Sequence, residues 1–510
     1  MTSPGPIVID GRRLGTDDVV RVARHQSAVV LSPDAVARLA ACRASVERIM
    51  ARRQPVYGLT TGVGELRNVY IPPDEVIRLQ QNIVRSHAAG VGEPLSEEAV
   101  RACMVLRAHT LALGYSGVRP EVVALLVGML NAGIHPVIPS QGSVGASGDL
   151  APLAHLALAM TGEGRAVYRG EPRPAADALR QAGLRPLRLE AKEGLSLING
   201  TQVMTAQALL ALVDADRLVT VADIASAMSL EALEGTDAAL DPALHSLRAH
   251  PGQQASAANM RRVVAGSEAI ARARGRTVQD AYSLRCAPQV HGAVRDTLGF
   301  VRRVVEVEVG AVTDNPICFP ERDEVIAGGN FHGHPVACAA DFLAIGVAGL
   351  ANISERRIER LVNPHLSGLP AFLTARSGLH SGYMLAQYTA ASLVSDNKVL
   401  AHPASVDSIP TSANQEDHVS MGTLASRKAR GVVANAQRVA GIELVCAAQA
   451  LDLRGGRYGA GTEAARRMVR ERVPRLDEDR CTADDLRAVE DLVQSDDLVR
   501  AVEAAAGTLA

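Results

Sequence analysis

The chain has 510 residues, 47% of them hydrophobic, and its formal net charge at pH 7 is -2. This length is well above what a self-sufficient hydrophobic core needs, so we expect a folded globular protein. A nearly neutral chain lacks the basic surface that nucleic acid or an anionic membrane would bind, so we expect neither as a partner.

The cysteines and the N-terminal residues indicate in which cellular compartment the protein is expected. The seven cysteines are scattered and form no C-x-x-C pair, so neither a disulfide framework nor a thiolate zinc site is expected. The first residues lack the basic-then-apolar order of a signal peptide, and no stretch approaches the roughly 20 apolar residues that span a bilayer. These features predict a cytoplasmic protein.

Helical signals dominate the first part of the chain. Ser32 and Ser96 are each followed by residues typical of a first helical turn, so each is predicted to cap a helix. In the second helix, Val100, Val105 and Leu106 are spaced for one buried face. Strand-like runs, such as residues 165–169, are few and short.

Longer periodic segments follow, and they predict helices over about 202–234, 336–363, 380–400 and 423–451. Such helices exceed the usual globular length of about 11–12 residues and need several partners along their apolar faces. We therefore predict a mainly α protein: a loop-rich N-terminal domain over 1–200, and a long-helix bundle over 201–510 with peripheral C-terminal helices. Neighbouring subunits are expected to complete the bundle.

Residues 141–155, QGSVGASGDLAPLAH, are the most informative stretch in the chain. Their glycines free the backbone for conformations that other residues avoid, and Asp149 is a plausible cap for a helix that begins near Leu150. An isolated tripeptide of this kind is usually a loop before a helix. The same freedom would also let the Gly148 nitrogen attack the Ala146 carbonyl carbon. The ring would then lose one water, and the Ser147 hydroxyl would leave as a second. The product would be a conjugated, electrophilic ring.

This segment resembles the signature of the aromatic amino acid ammonia-lyases, and further motifs extend the resemblance over about residues 8 to 490. The resemblance implies a 4-methylideneimidazol-5-one (MIO) group formed autocatalytically from Ala146-Ser147-Gly148, without an external cofactor or a metal. It also implies the helical-bundle fold of the fumarase/aspartase-like superfamily. We further expect a homotetramer whose active sites are shared between subunits.

Three motifs indicate which substrate side chain the site accepts. They are SHAAGVG with His87, GNFHG with Phe331, and NQEDHVSM with Glu416, and all three look like the versions found in histidine-selective members. Phenylalanine- and tyrosine-selective members resemble the third motif but carry a neutral Gln at the position of Glu416. A carboxylate can pair with an imidazole N–H, whereas burial against a phenyl ring would leave its charge unpaired.

The other site residues follow from the resemblance position by position. It implies that Tyr57 lies over the substrate on a Gly-flanked loop, and that Asn199 lies near the electrophile and the substrate carboxylate. From the motif QDAYSLR it implies hydrogen bonding by Gln279 and a carboxylate clamp at Arg285, and it implies that Tyr282 assists either the electrophile or proton transfer. Packing against the substrate is implied for Phe331 and Met384.

The implied reaction is the non-oxidative elimination of ammonia from L-histidine to give trans-urocanate, the first step of histidine degradation. Tyr57 or Tyr282, assisted by Glu416, is expected to remove the β-proton. One alternative is a tyrosine or phenylalanine ammonia-lyase, or an aminomutase, of the same family. Others are a non-catalytic scaffold relative and a serine hydrolase that uses Ser147, although the motif is not a G-x-S-x-G elbow. His332 and His334 lack metal-ligand spacing, which favours a structural role for them.

Overall fold

The computed structural model describes residues 5–52, 54–276 and 278–510. It is mainly helical, which confirms the predicted fold class. By its internal contacts the chain divides into two compact units. The first unit comprises Met1–Leu210, Arg302–Asp341 and Pro403–Arg427, and the second comprises Ala211–Val301, Phe342–His402 and Lys428–Ala510.

The strands found among the described residues all lie in the first unit and form four small sheets. The parallel pair joins Ile7–Ile9 to Val29–Leu31, and the other pairings are antiparallel. These are Val91–Pro94 with Pro139–Gln141; Ile134–Pro136 with Arg165–Tyr168, which also pairs with Glu171–Pro174; and Ile317–Phe319 with Glu324–Ile326. The predicted strand near 165–169 is therefore confirmed.

The helices of the first unit surround a central one, Glu97–Ala112, whose residues are all buried from Ala99 onward. The prediction of one buried face was too narrow, because this helix is covered on every side. Ser96 accepts a hydrogen bond from Ala99 N–H, and Ser32 accepts one from Ala35 N–H, as predicted. The other α-helices are Thr16–Arg24, Pro33–Ala51, Val76–His87, Pro120–Ala132, Leu150–Met160, Ala175–Gln181 and Glu193–Ile198, and the 3-10 helices are Gly64–Asn68 and Ser412–Asn414.

Four long helices contain four of the five boundaries between the units: Gln202–Ala232, Ala287–Val309, His334–Val362 and Gly422–Arg454. Three of them lie within two or three residues of the predicted bounds. The described regular elements that lie wholly in the second unit are helices. They are Asp237–Leu240, Pro242–Ser246, Pro251–Val263, Glu268–Ala273, Tyr282–Arg285, Pro364–Ser367, Ala371–Leu373, Met384–Leu400, Ala460–Arg472, Thr482–Gln494 and Asp497–Ala506.

One described helix, His334–Val362, is long and apolar enough to cross a membrane by length and composition alone. The expectation that no stretch has this character was therefore too strict. Of its most apolar window, 56% is buried inside the structure, and the core helices of soluble proteins pass the same test. A single helix of this kind is weak evidence for a membrane span.

Candidate active site

The tripeptide Ala146-Ser147-Gly148 lies on the connection between strand Pro139–Gln141 and helix Leu150–Met160. Gly148 has a φ of +72°, in the left-handed region that favours glycine. A Cβ atom at this position would lie 2.1 Å from the carbonyl oxygen of Gly200. The backbone here therefore requires glycine on two grounds, its conformation and the closeness of a neighbouring chain segment.

Asn199 fixes the hydroxyl group of the tripeptide. Ser147 Oγ donates a hydrogen bond of 2.5 Å to Asn199 Oδ1. The amide nitrogen of Asn199 donates in turn to the carbonyl oxygen of Asn315, at 2.6 Å. Because Asn199 is 1% exposed and bonded at both ends of its amide, its orientation is set by the fold. Asn315, which sequence analysis missed, acts through a backbone carbonyl that no side-chain motif reveals.

Asp149 has a different role from the one predicted. It occupies the position before helix Leu150–Met160, but its side chain makes no capping bond to that helix. Its carboxylate instead accepts from Val203 N–H and Met204 N–H, both at 2.9 Å, and from Thr423 Oγ1 at 2.5 Å. It therefore caps the first turn of helix Gln202–Ala232. Complete burial raises the pKa of Asp149 to about 6.

Tyr57 lies on the loop that precedes the 3-10 helix Gly64–Asn68. Its hydroxyl oxygen accepts a hydrogen bond of 3.1 Å from Gly64 N–H. Burial raises the pKa of Tyr57 above its ordinary value; the hydrogen bond from Gly64 N–H opposes this, the negative charge of Glu416 adds to it, and Arg67 opposes it least. In this environment Tyr57 is a phenol at neutral pH.

Glu416 follows an unusual turn. Ser412, Ala413 and Asn414 have φ values of +50°, +52° and +70°, which side-chain-bearing residues rarely adopt in succession. The turn brings Glu416 back beside Thr411, whose Oγ1 donates 2.7 Å to Glu416 Oε2 and whose N–H donates to the Glu416 carbonyl. This half-buried carboxylate is thus held in place and retains one oxygen for a further partner.

Two adjoining cavities of the first unit meet at this cluster, and both include Tyr57, Gly64, Ser147 and Glu416 in their walls. The smaller, of about 430 Å³, is also lined by Val63, Glu65, Leu66, His87, Leu150, Leu195, Asn199, Ser412 and Ala413. The larger, of about 470 Å³, is also lined by Arg67, Ala146, Asn315, Ala327, Gly328, Gly329, Phe331, His332, Gln415, Asp417 and His418.

The structure thus brings seven of the twelve predicted site residues to the walls of these cavities, and an eighth, Gly148, to the adjacent backbone. In the smaller cavity, His87 Nδ1–H donates 2.8 Å to the Ile83 carbonyl oxygen. His332 and His418, which were not predicted as site residues, stack with ring centroids 5.6 Å apart in the wall of the larger cavity. Sequence spacing could not reveal this pair because 86 residues separate its members.

Four predicted site residues belong to the second unit and line neither cavity: Gln279, Tyr282, Arg285 and Met384. The Tyr282 side chain is 71% exposed, and the Arg285 guanidinium lies over its ring at 4.5 Å. Arg285 Nε donates to the Asp280 carbonyl oxygen at 2.8 Å. Gln279 and Tyr282 are therefore exposed on the unit that carries them, whereas Arg285 and Met384 are half-buried.

Comparisons with known proteins agree on one family. Residues 14–471 match the family described as aromatic amino acid lyase. A histidine ammonia-lyase of Symbiobacterium thermophilum is 57% identical over 500 residues, covering 98% of this chain and 99% of the relative.

Solved structures match over the same extent. A histidine ammonia-lyase from Trypanosoma cruzi superposes with a TM-score of 0.91 at 45% identity, covering 98% of this chain and 95% of that one. A tyrosine aminomutase from Streptomyces globisporus superposes with a TM-score of 0.93 at 39% identity, covering 99% and 100%. The chain therefore belongs to the aromatic amino acid lyase family and is a carbon–nitrogen lyase.

Proposed function

We propose that this chain is a histidine ammonia-lyase, which eliminates ammonia from L-histidine to give trans-urocanate, the first step of histidine degradation. The observation that carries the proposal is that Glu416 and His87 share one cavity with Ser147. The similar proteins named above as histidine ammonia-lyases support it.

The electrostatics of the cavity favour an imidazole over a phenyl ring. Glu416 has one oxygen bonded by Thr411, so the other can accept from an imidazole N–H in a charge-assisted hydrogen bond. A phenyl ring in the same place would remove water from the carboxylate without replacing its hydrogen bond. Apolar side chains of Leu150 and Leu195 would cover the faces of a flat ring.

The residues at the tripeptide fit an MIO group formed autocatalytically from Ala146-Ser147-Gly148. Position 148 has no room for a side chain, and the hydroxyl that must leave is held by Asn199. Ala146 and Ser147 both line a cavity, so the ring would be open to a substrate. When formed, this group supplies an electrophile that the amine of the substrate can reach, and no external cofactor is needed.

The chain's own residues would orient the substrate and remove its β-proton. Asn199 and Arg285 would hold the carboxylate, so that much of the rate enhancement arises from alignment. Tyr57 or Tyr282, with Glu416 assisting, would accept the proton from the β-carbon. Because the pKa of Tyr57 is raised in this chain, its use as a base would require a cation such as Arg285 nearby.

The remaining predicted contacts would complete the site. Phe331 would pack against the substrate, Met384 would line its side-chain pocket, and Gln279 would hydrogen-bond near the carboxylate. Gln279, Arg285 and Met384 line neither cavity of their own chain, which supports an assembly in which another copy supplies them.

We propose a cytoplasmic homotetramer with shared active sites and no membrane or nucleic-acid partner. Exposed apolar side chains on helix Met384–Leu400, namely Leu385, Tyr388 and Val399, offer contact surface for a second copy. The N-terminal MIO-bearing domain over 1–200 and the long-helix domain over 201–510 remain part of this proposal.

A tyrosine aminomutase or a tyrosine or phenylalanine lyase is the second candidate, because the chain superposes as well on a tyrosine aminomutase as on a histidine ammonia-lyase. Incubation with L-histidine, L-tyrosine and L-phenylalanine separately decides between them, with ultraviolet absorbance to detect the conjugated acids and chromatography to detect β-amino acids. We expect urocanate only. Coumarate, cinnamate or a β-amino acid without urocanate would overturn the substrate assignment.

The identity of the base has its own test. Full turnover by Tyr57→Phe together with loss of turnover in Tyr282→Phe would exclude Tyr57. Intact mass measures the MIO group independently of the substrate, since a chain that carries it is lighter by two waters.

A further inference from the structure

Arg107 is a buried cation that the proposed reaction does not use. It lies on the central helix Glu97–Ala112, and its side chain is completely buried. Its Nη1 donates 2.7 Å to Gln202 Oε1, whereas Nε and Nη2 have no hydrogen-bond partner among the described residues. Burying a guanidinium with most of its donors unpaired is costly, so its retention calls for a reason beyond packing.

The hydrogen bond from Arg107 to Gln202 joins helix Glu97–Ala112 to the turn that contacts the tripeptide. A Cβ atom at Gly200 would lie 2.7 Å from Arg107 Nη1, so the guanidinium fills the space beside this glycine. Gln202 extends the contact, because its Nε2 donates 2.9 Å to Thr313 Oγ1. The turn formed by residues 199–202 is therefore anchored from the side of helix Glu97–Ala112.

The same turn contacts the tripeptide directly. The Gly200 carbonyl oxygen accepts from Asp149 N–H at 2.7 Å, and the Gly200 N–H donates to the Ser147 carbonyl oxygen at 3.4 Å. Asn199, one residue earlier, accepts from the Ser147 hydroxyl. A displacement of the turn would therefore change the positions of the Ser147 hydroxyl and the Gly148 backbone together.

We propose that Arg107 is a positioning residue for the self-modification of Ala146-Ser147-Gly148, acting through Gln202 and Gly200. This inference rests on the proposed function, since it presumes that the tripeptide becomes the MIO group. By fixing the turn, Arg107 holds the Gly148 nitrogen close to the Ala146 carbonyl carbon in the folded chain.

The step that it supports is a double dehydration without any redox change. The Gly148 nitrogen forms a bond to the Ala146 carbonyl carbon, and the carbonyl oxygen leaves as water with the protons of the Gly148 and Ser147 nitrogens. The Ser147 hydroxyl then leaves as a second water with the proton of the Ser147 Cα, which creates the exocyclic double bond. Cyclisation of this kind depends steeply on the distance between nitrogen and carbon.

A second arginine on the same helix provides the matched control. Arg101 is 2% exposed, and its donors reach the carbonyl oxygens of Val22 and Leu130 and the ring of His135. Replacing it removes a buried guanidinium from the same helix without touching the turn. Because Arg101 has more hydrogen-bond partners than Arg107, Arg101→Met should lose at least as much stability as Arg107→Met while leaving the turn intact.

The experiment measures the intact mass and the near-ultraviolet absorbance of full-length wild type, Arg107→Met, Gln202→Met and Arg101→Met, each purified as folded protein at the same time after synthesis. We expect the fraction that retains both waters to be at least about tenfold higher in Arg107→Met and Gln202→Met than in wild type. Arg101→Met should match wild type.

Each other outcome counts against the inference. Complete modification of Gln202→Met would overturn it, even where Arg107→Met fails to fold. Equal retention of water in Arg101→Met and Arg107→Met would show a general effect of stability. A wild-type chain that keeps both waters would overturn the MIO proposal itself, which separates that failure from a failure confined to Arg107.

Discussion

The Ser147 hydroxyl donates to the Asn199 side-chain oxygen at 2.5 Å, and the amide of Asn199 is in turn fixed by the Asn315 carbonyl. This chain of hydrogen bonds holds the oxygen atom that must leave if the tripeptide is to become an electrophile. It also puts Asn199 in the wall of the cavity proposed for the substrate. On the proposed function, Asn199 therefore both helps to form the electrophile and contacts the substrate.

Gly148→Ala should prevent the self-modification. The added Cβ would lie 2.1 Å from the Gly200 carbonyl oxygen, so the two backbone segments would have to separate. We expect an intact mass with both waters retained and no turnover of L-histidine. Gly183→Ala is the control, because Gly183 has nearly the same φ, +73°, but nothing within 4 Å of an added Cβ. If Gly183→Ala also retained both waters, backbone strain rather than the Gly200 contact would be responsible.

Glu416→Gln should weaken the use of L-histidine without damaging the MIO group. Loss of a hydrogen bond to a charged group costs roughly 1.5–3 kcal/mol, or about 10- to 150-fold in kcat/KM. The exposed neighbour Asp417 offers the control Asp417→Asn, for which we expect a much smaller change. Steady-state kinetics and intact mass test both points, and an unchanged kcat/KM in Glu416→Gln would contradict the role given to this carboxylate.

His109 should make the stability of the chain depend on pH. It is completely buried, and burial lowers its pKa to about 4, from an ordinary value of 6.5. Between these values the unfolded chain binds a proton that the folded chain does not, so the free energy of unfolding falls as pH falls from 6.5 to 4. The difference amounts to about 3 kcal/mol over this range.

Denaturant unfolding of His109→Leu and wild type at pH 7 and pH 4.5 tests this expectation. The variant should lose less stability between the two pH values than wild type does. His365→Leu, at an exposed histidine, should behave as wild type. Equal pH dependence in all three proteins would show that His109 does not contribute.

Glu443→Gln should strongly destabilise the second unit. The Glu443 carboxylate and the Arg357 guanidinium are both completely buried and are joined at 2.5 and 2.8 Å, while Ser229 and Ser354 also donate to the carboxylate. Removing the negative charge leaves the guanidinium uncompensated, at a cost of about 3–5 kcal/mol.

The matched control for that ion pair lies at the surface. Asp177 and Arg180 are joined at 2.8 Å but are exposed, so Asp177→Asn should change the free energy of unfolding by less than about 1 kcal/mol. Thermal or denaturant unfolding of both variants tests the comparison. Similar small losses in the two would mean that the buried network relaxes around the substitution.

Local signals in the sequence predicted the helices well, because caps and apolar periodicity act over a few residues. Ser32 and Ser96 cap the helices assigned to them, and three of the predicted long helices begin and end within three residues of their expected bounds. The bond of Asp149 to a helix 54 residues later was not predictable in this way. The position of Asp149 just before helix Leu150–Met160 favours a local cap. The N–H groups of Val203 and Met204, which bind its carboxylate instead, are brought close only by the tertiary fold.

The candidate site shows the same limit. Of the eight predicted site residues in the first unit, seven line the two cavities. Nothing local marks the Asn315 carbonyl, the left-handed run from Ser412 to Asn414 or the link from Arg107 to Gln202. Each depends on contacts between segments far apart in the chain, so their geometry follows from the fold alone.

The cap that Asp149 forms on helix Gln202–Ala232 has a consequence for the history of each molecule. Until that helix has folded against Asp149, nothing holds the Gly148 nitrogen close to the Ala146 carbonyl carbon, so we expect no cyclisation. Once it has cyclised, later unfolding does not restore the lost waters. On the proposed chemistry, the mass of a polypeptide therefore records that it has been folded at least once, so newly made chains can be told apart from once-native ones in a denatured sample.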